Sequence, residues 1–239
     1  MDFKTIFRDI FIMNGLDIHL TEYNIEKFKC LTDIMLETNK TMNITAITEI
    51  DKIVSLHYAD CVKVAEYIPR GARVLDVGCG GGFPILPLAI VRPDLNITGL
   101  DSTDKKIKYV QHAADDLGLA IQTVSARAEE LAKSQEHREK YDVVVGRAVA
   151  RLNILSELCI PFVRIGGCFM AMKGLAGQSE CDEAIKGIQK LGGSVSDFQE
   201  YDLFLMGEIE KRSLIRINKE GPTPTEYPRS FGSIKKKPL

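Results

Sequence analysis

The stretch Asp76-Val77-Gly78-Cys79-Gly80-Gly81-Gly82-Phe83 has the residue types and spacing that point most directly to chemistry. It follows a short apolar run and opens a helical one, the setting that a nucleotide-binding loop requires. Glycines let a backbone turn sharply and approach a ligand where a Cβ would collide. A second apolar run ends at Asp101, 25 residues after Asp76. A carboxylate there can accept hydrogen bonds from both hydroxyls of a ribose. Together these features describe a nucleoside site at the carboxyl edge of a doubly wound sheet. Gly78, Gly80, Gly82, Phe83 and Asp101 are the expected contacts, while Asp76 is expected to hold the loop through hydrogen bonds.

Two ligand classes compete for such a loop. A dinucleotide site reads Gly-x-Gly-x-x-Gly, but the third position here is Phe83. The observed acid-x-Gly-x-Gly-x-Gly resembles the first motif of class I S-adenosylmethionine-dependent methyltransferases, whose donor has no pyrophosphate. The target is narrowed by what the chain lacks. Methylation of exocyclic amines often uses Asn/Asp-Pro-Pro-aromatic after the fourth strand, where this chain reads Val145-Gly146-Arg147-Ala148-Val149. Methylation of pyrimidine C5 needs a cysteine, usually beside proline; Cys79 lies inside the loop and Cys168 has no proline neighbour. An atom with a free lone pair and no proton to lose needs neither device, and guanine N7 is such an atom. Catalysis would then rest on alignment, with no residue assigned as general base.

Several cations are placed to meet a target. Arg147 follows an apolar strand at its carboxyl end, where sites of this architecture lie. It reads as a cofactor or target contact, with a structural salt bridge as the alternative. Lys105 and Lys106 begin a helix beside the donor loop and read either as phosphate contacts or as an exposed helix start. Residues 203–239 carry 8 basic and 4 acidic residues, and Arg229, Lys235, Lys236 and Lys237 lie in a stretch without an acid. That tail reads either as a solvated end or as a phosphate-contacting arm; if it is only a solvated end, the RNA surface should lie around Lys105, Lys106 and Lys173. His57 reads equally as a packed histidine or a site residue.

These residues must be positioned by two kinds of structure. Residues 1–69 read as helical: Thr21 caps a helix with Ile25, Phe28, Leu31 and Met35 on one face. Residues 39–46 form a polar connection, and a second amphipathic run covers about Ile50 to Ile68. It stops at Pro69-Arg70-Gly71, the best internal boundary. Beyond it strands and helices alternate: strands at 72–77, 96–101, 121–125, 141–146 and 167–172, and helices at 83–91 and from Asp104, as cap, to about Leu117. Alternation implies a mainly parallel sheet covered on both faces. Two last strands, near 195–201 and 213–218, should pair antiparallel at the sheet edge.

The chain has 239 residues, 45% hydrophobic and 27% charged, with a net charge of −2. That excludes a disordered chain and a small disulfide scaffold. The longest apolar run, Phe83 to Val91, is too short to cross a bilayer. Six scattered cysteines without a C-x-x-C pair point to reduced thiols in a cytoplasmic protein and to no metal site. The near-neutral balance means that any nucleic-acid contact must come from local patches.

In this order the motifs resemble those of the bacterial small-subunit ribosomal RNA guanine-N7 methyltransferases, the glucose-inhibited division protein B family. They run from Asn39-Lys40-Thr41-Met42-Asn43-Ile44-Thr45, through His57 with Asp60, to Leu75–Pro84. They continue with Asp101, Lys105-Lys106, Arg127-Ala128-Glu129, Asp142, Arg147-Ala148 and Lys173-Gly174, and end with Tyr227-Pro228-Arg229 and Pro238-Leu239. After Phe83-Pro84 many members have glycine where this chain has Ile85. The resemblance implies a class I methyltransferase domain over 70–239, with a doubly wound, mainly parallel seven-stranded sheet, behind a helical subdomain over 1–69. It implies S-adenosylmethionine as cofactor, with Ala128 and Glu129 at its adenine end. It also implies an RNA-binding enzyme of rRNA processing. Small-subunit ribosomal RNA or the small ribosomal subunit would be the partner, with no membrane and a monomeric protein. Two rivals are a small-molecule methyltransferase using the same pocket and a non-catalytic RNA-binding protein with a relict loop. The basic tail and the family signature argue against the first, and the intact Gly78, Gly80 and Gly82 against the second.

Overall fold

A computed structural model describes residues 1–239. The chain begins with helices. In α1 (Phe3–Met13) the Asp2 side chain caps the first turn by accepting from Thr5 N–H, and α2 (Glu22–Asn39) is capped in the same way by Thr21, which accepts from Asn24 N–H. The expected apolar face of α2 is buried, as Ile25, Phe28, Leu31 and Met35. After the connection, α3 (Ile50–Lys52), a π-helical stretch (Ile53–Ala59) and α4 (Asp60–Val62) run on as one helix. This helix is shorter than the amphipathic pattern suggests, because a 3-10 turn over Ala65–Tyr67 takes up its last apolar positions.

From here strands and helices alternate. They are β1 (Arg73–Val77), α5 (Ile85–Val91), β2 (Asn96–Asp101), α6 (Asp104–Asp116), β3 (Ile121–Ser125), α7 (Ala128–Leu131), β4 (Tyr141–Arg147) and α8 (Leu152–Cys159). Then follow β5 (Val163–Lys173), α9 (Gly177–Lys190), β6 (Gly193–Phe204), β7 (Ile209–Lys219) and α10 (Phe231–Lys236). The sheet order is β3-β2-β1-β4-β5-β7-β6. The first five strands are parallel, and β7 and β6 add on antiparallel at the edge, as the sequence implied.

Two local expectations need correction. The helix expected from Phe83 begins at Ile85, because the turn still occupies 82–84: Gly82 N–H and Phe83 N–H both donate to Cys79 O. Asp104 is not the cap of α6. Thr103 holds that position, and Asp104 is the first helical residue, paired with Lys108 at 2.7 Å. The turn is instead held from the strand end, where the Asp101 carboxylate accepts from Thr103 N–H at 2.8 Å.

Both faces of the sheet are covered, and the amino-terminal helices supply one cover. Phe11, Phe7, Phe28 and Tyr58, in that order, form an aromatic run with centroid spacings of 4.0, 5.0 and 4.8 Å. The same apolar core continues into Val74, Ile85 and Met170, so it passes across residue 70 without a break. Tyr58 would bury its hydroxyl unpaired, but Thr32 Oγ1 lies 2.7 Å from it. The opposite face holds Leu75, Val144, Leu155, Phe169 and Ile215. All six cysteine thiols are free, and five are buried.

Candidate functional site

Strand register builds the site. Val77 of β1 pairs with Leu100 of β2, and Asp101 pairs with Ser125 of β3. The carboxyl ends of three strands therefore lie in a row, and residues there and just beyond (78–81 with Phe83, 101–102 and 126–129) face one cavity of about 400 Å³. That volume is within the usual range for a small-molecule site.

The glycine loop is pinned to the sheet, because Gly78 N–H and Cys79 N–H both donate to Leu100 O, at 2.7 and 3.0 Å. Gly78 has φ +79°, and a Cβ there would lie 2.7 Å from the Val149 side chain. Both observations require glycine. Asp101 Oδ2 accepts from Gly80 N–H at 3.0 Å, so the carboxylate that faces the cavity also fixes the loop. Phe83, Ala128 and Glu129 line the same space, with Lys106 at its rim.

Some expected contacts stand elsewhere. Gly82 does not line the cavity; a Cβ there would lie 2.3 Å from the Leu86 side chain, so its role is close packing against α5. Gly81 lines the wall instead, under Ile44 of the connection. Asp76 makes no hydrogen bond to the loop. It is fully buried, both carboxylate oxygens lack a partner, and burial pushes its pKa well above the usual range. Arg147 and Asp101 act on it in opposite directions, the cation favouring the charged form and the second carboxylate opposing it. Cys79 also lines the cavity, and burial raises its pKa, so its thiol stays protonated.

Arg147, at the end of β4, is held by three acceptors from one helix. These are Leu56 O at 2.8 Å, Asp60 Oδ2 at 3.0 Å and His57 Nδ1 at 3.2 Å. Tyr201 donates to the other Asp60 oxygen at 3.0 Å, and Arg212 lies 3.6 Å from it. A second cavity of about 520 Å³ opens here, with Asp60, Met172, Glu180 and Arg212 in its wall. It shares His57, Arg147, Ala148 and Val149 with the first. Ala148 has φ +55°, a left-handed conformation that costs a non-glycine residue about 1 kcal/mol or more and that clusters at functional sites.

The cations divide into two groups. Lys105, Lys235, Lys236 and Lys237 are exposed. Lys173 is not a free cation, since it pairs with Glu180 at 2.8 Å and donates to Ala150 O at 2.6 Å. Arg229 is compensated after all, by Glu157 of α8, with Nε 2.9 Å from Oε1. The segment around the tail cations also packs: Tyr227 and Ile234 are buried, because α10 seats against the face of the sheet that carries α8.

Ile44, His57, Gly81, Ala148 and Val149 also line the first cavity, and sequence spacing alone assigned none of them to it. The adjacency of Thr45, His57 and Arg147 across 102 positions has no linear signal. Only their presence in one ordered set of motifs hinted at it.

The architecture is the class I methyltransferase fold. TYW2 of M. jannaschii, solved in complex with AdoMet, superposes with TM-score 0.53 at 12% identity, over 67% of this chain and 74% of that one. YcgJ of Bacillus subtilis superposes with TM-score 0.52 at 13% identity, over 69% of this chain and 100% of that one. The sequence goes further. A family model described as GidB, rRNA small subunit methyltransferase G, matches residues 24–203. The ribosomal RNA small subunit methyltransferase G of Acetivibrio thermocellus is 41% identical over 95% of this chain and 93% of its own. That of Brevibacillus brevis is 39% identical over 99% of both. The chain belongs to this family.

Proposed function

We propose that the protein transfers a methyl group from S-adenosylmethionine to N7 of a guanine in small-subunit ribosomal RNA. The observation that carries this reading is the pair of cavities joined at His57 and Arg147, one built as a nucleoside site and the other open beside it. The residues fit the donor. Gly78 and Gly80 bring bare backbone to the cavity, where Asp101 would take the ribose hydroxyls and Ala128 and Glu129, which line the same space, would meet the adenine. Phe83 closes one side with an apolar ring. When bound, S-adenosylmethionine supplies an electrophilic methyl group on a sulfonium.

The chain's own residues need no general base, because guanine N7 attacks through a lone pair and releases no proton. Their work is alignment, which confers large rate gains when two reactants are held in line. Arg147 lines both cavities and, through its three acceptors, has a fixed position between them. The carboxylates of the second cavity are already committed to cations, Asp60 to Arg147 and Glu180 to Lys173.

Exposed Lys105, Lys235, Lys236 and Lys237, with Lys106 at the rim, would meet RNA phosphates. The reading includes a cytoplasmic, monomeric enzyme, with residues 1–69 as a helical subdomain and 70–239 as the catalytic domain. No helix is long and apolar enough to cross a membrane. The test supplies small-subunit RNA, naked or assembled, with purified protein and methyl-labelled donor, and maps the label base by base. Label at N7 of one guanine is expected; label on another atom, or none, overturns the reading.

A further inference from the structure

His57 is a buried imidazole that the transfer itself does not use. Its ring lies on that of Phe83, with centroids 4.4 Å apart and planes 9° from parallel. One nitrogen, Nε2, is 2.8 Å from Thr45 Oγ1; the other, Nδ1, is 3.2 Å from a terminal nitrogen of Arg147. A guanidinium only donates. Nδ1 must therefore accept, the ring proton must sit on Nε2, and Nε2–H donates to Thr45. The imidazole is held in one neutral tautomer. Protonation is opposed by burial and by the Arg147 charge, which together push its pKa down to about 3.

The far end of this chain of contacts is equally fixed. Thr45 Oγ1 also accepts from Ile47 N–H at 3.0 Å. The Asn39 side chain ties the loop, donating to Thr45 O at 2.9 Å and accepting from Ile44 N–H at 2.8 Å and Thr45 N–H at 3.1 Å. Ile44 is thereby pressed over Gly81, where a Cβ would lie 2.7 Å from its side chain. The connection between α2 and α3 is thus a strap over the donor cavity, joined to Arg147 through one imidazole.

We propose that His57 is a positioning residue: it acts as a permanently neutral hydrogen-bond acceptor that sets Arg147 between the two cavities and couples that setting to the strap. Arg147 commits three N–H groups to Leu56, His57 and Asp60. That leaves Nε–H and one further N–H for whatever occupies the cavities. Their direction depends on the acceptor at Nδ1. A protonated His57 would turn that acceptor into a donor facing a cation, and the arrangement would fail.

The inference rests on the proposed methyl transfer for its kinetic consequence, but its structural content is tested without it. Phe and Asn separate the two roles of the ring. His57→Phe keeps the stack on Phe83 and fills the volume but accepts nothing. His57→Asn packs worse but offers Oδ1 close to where Nδ1 stood. A merely structural histidine ranks Phe above Asn in activity, whereas a positioning histidine ranks Asn above Phe. The expected result is that His57→Phe unfolds near the wild-type temperature yet loses about tenfold or more in kcat, the scale set by misplacing reacting groups. His57→Asn regains part of that loss despite a lower Tm. The ranking Phe at or above Asn overturns the proposal. An inactive wild-type protein counts against the methyl-transfer reading alone. In that case nitrogen NMR of the ring decides, with the His57 resonances assigned by their loss in His57→Asn. Nδ1 unprotonated and Nε2 protonated from pH 5 to 8 upholds the proposal, and an ionisation in that range overturns it.

Discussion

The guanidinium of Arg229 grips the wholly buried carboxylate of Glu157, with Nε 2.9 and 3.2 Å from its two oxygens while Arg229 N–H donates to one of them at 2.9 Å. This pair fastens the carboxyl-terminal segment to α8. It also means that one of the four tail cations serves the fold. Removing one partner of a buried pair leaves an uncompensated charge and typically costs about 3–5 kcal/mol. Arg229→Ala should therefore lower the denaturant midpoint strongly. Replacing both residues, as Arg229→Met with Glu157→Leu, should restore most of the loss, since an apolar pair carries no desolvation cost. A single variant that unfolds like the wild type would contradict the pairing.

The three terminal lysines behave differently because they are exposed and form no ion pair. Changing Lys235, Lys236 and Lys237 to serine should leave S-adenosylmethionine binding intact. RNA affinity should fall at physiological salt, and the slope of log affinity against log salt should flatten by roughly 0.7–0.9 per lost contact. An unchanged slope would identify the tail as a solvated end and direct attention to Lys105 and Lys106.

Asp101 faces the cavity while its carboxylate holds both Gly80 N–H and Thr103 N–H. Asp101→Ala should weaken donor binding by roughly 1.5–3 kcal/mol, the range for hydrogen bonds to a charged group. Calorimetry that returns the wild-type affinity would remove Asp101 from the donor site.

Asp76 predicts a pH dependence of stability. Burial raises its folded pKa well above the unfolded value, which is about 3.9. The folded protein then holds a proton that the unfolded chain releases, so the contribution of Asp76 to stability is fully present below about pH 4 and is lost as pH rises through the folded pKa. Asp76→Asn keeps the shape without the titration. Its stability advantage over the wild type should grow from pH 4 to pH 8, because the amide neither ionises nor has to hold a proton in the buried site. A gap that stays constant with pH would refute the assignment.

By itself, the sequence determined the order of the elements and the glycine loop that follows β1. The period of apolar residues in α2, the acid-x-Gly-x-Gly-x-Gly stretch and the alternation after Pro69 are local signals. Local signals suffice where backbone periodicity and glycine conformation decide the outcome. The antiparallel edge pair was legible for the same reason: its two apolar runs are joined by a short connection without a helix. The structure alone decided what each charge faces. Asp76 was expected to brace the loop and is buried without a partner, Lys173 is spent on Glu180, and Arg229 is spent on Glu157, 72 positions away. The Thr45–His57–Arg147 connection is of the same kind, uniting a strap, a π-turn and the end of a strand. A side chain's partner is set by which elements the sheet order brings together, and the strength of its interaction by how much water the packing excludes. Neither quantity is written in the spacing of residues along one chain.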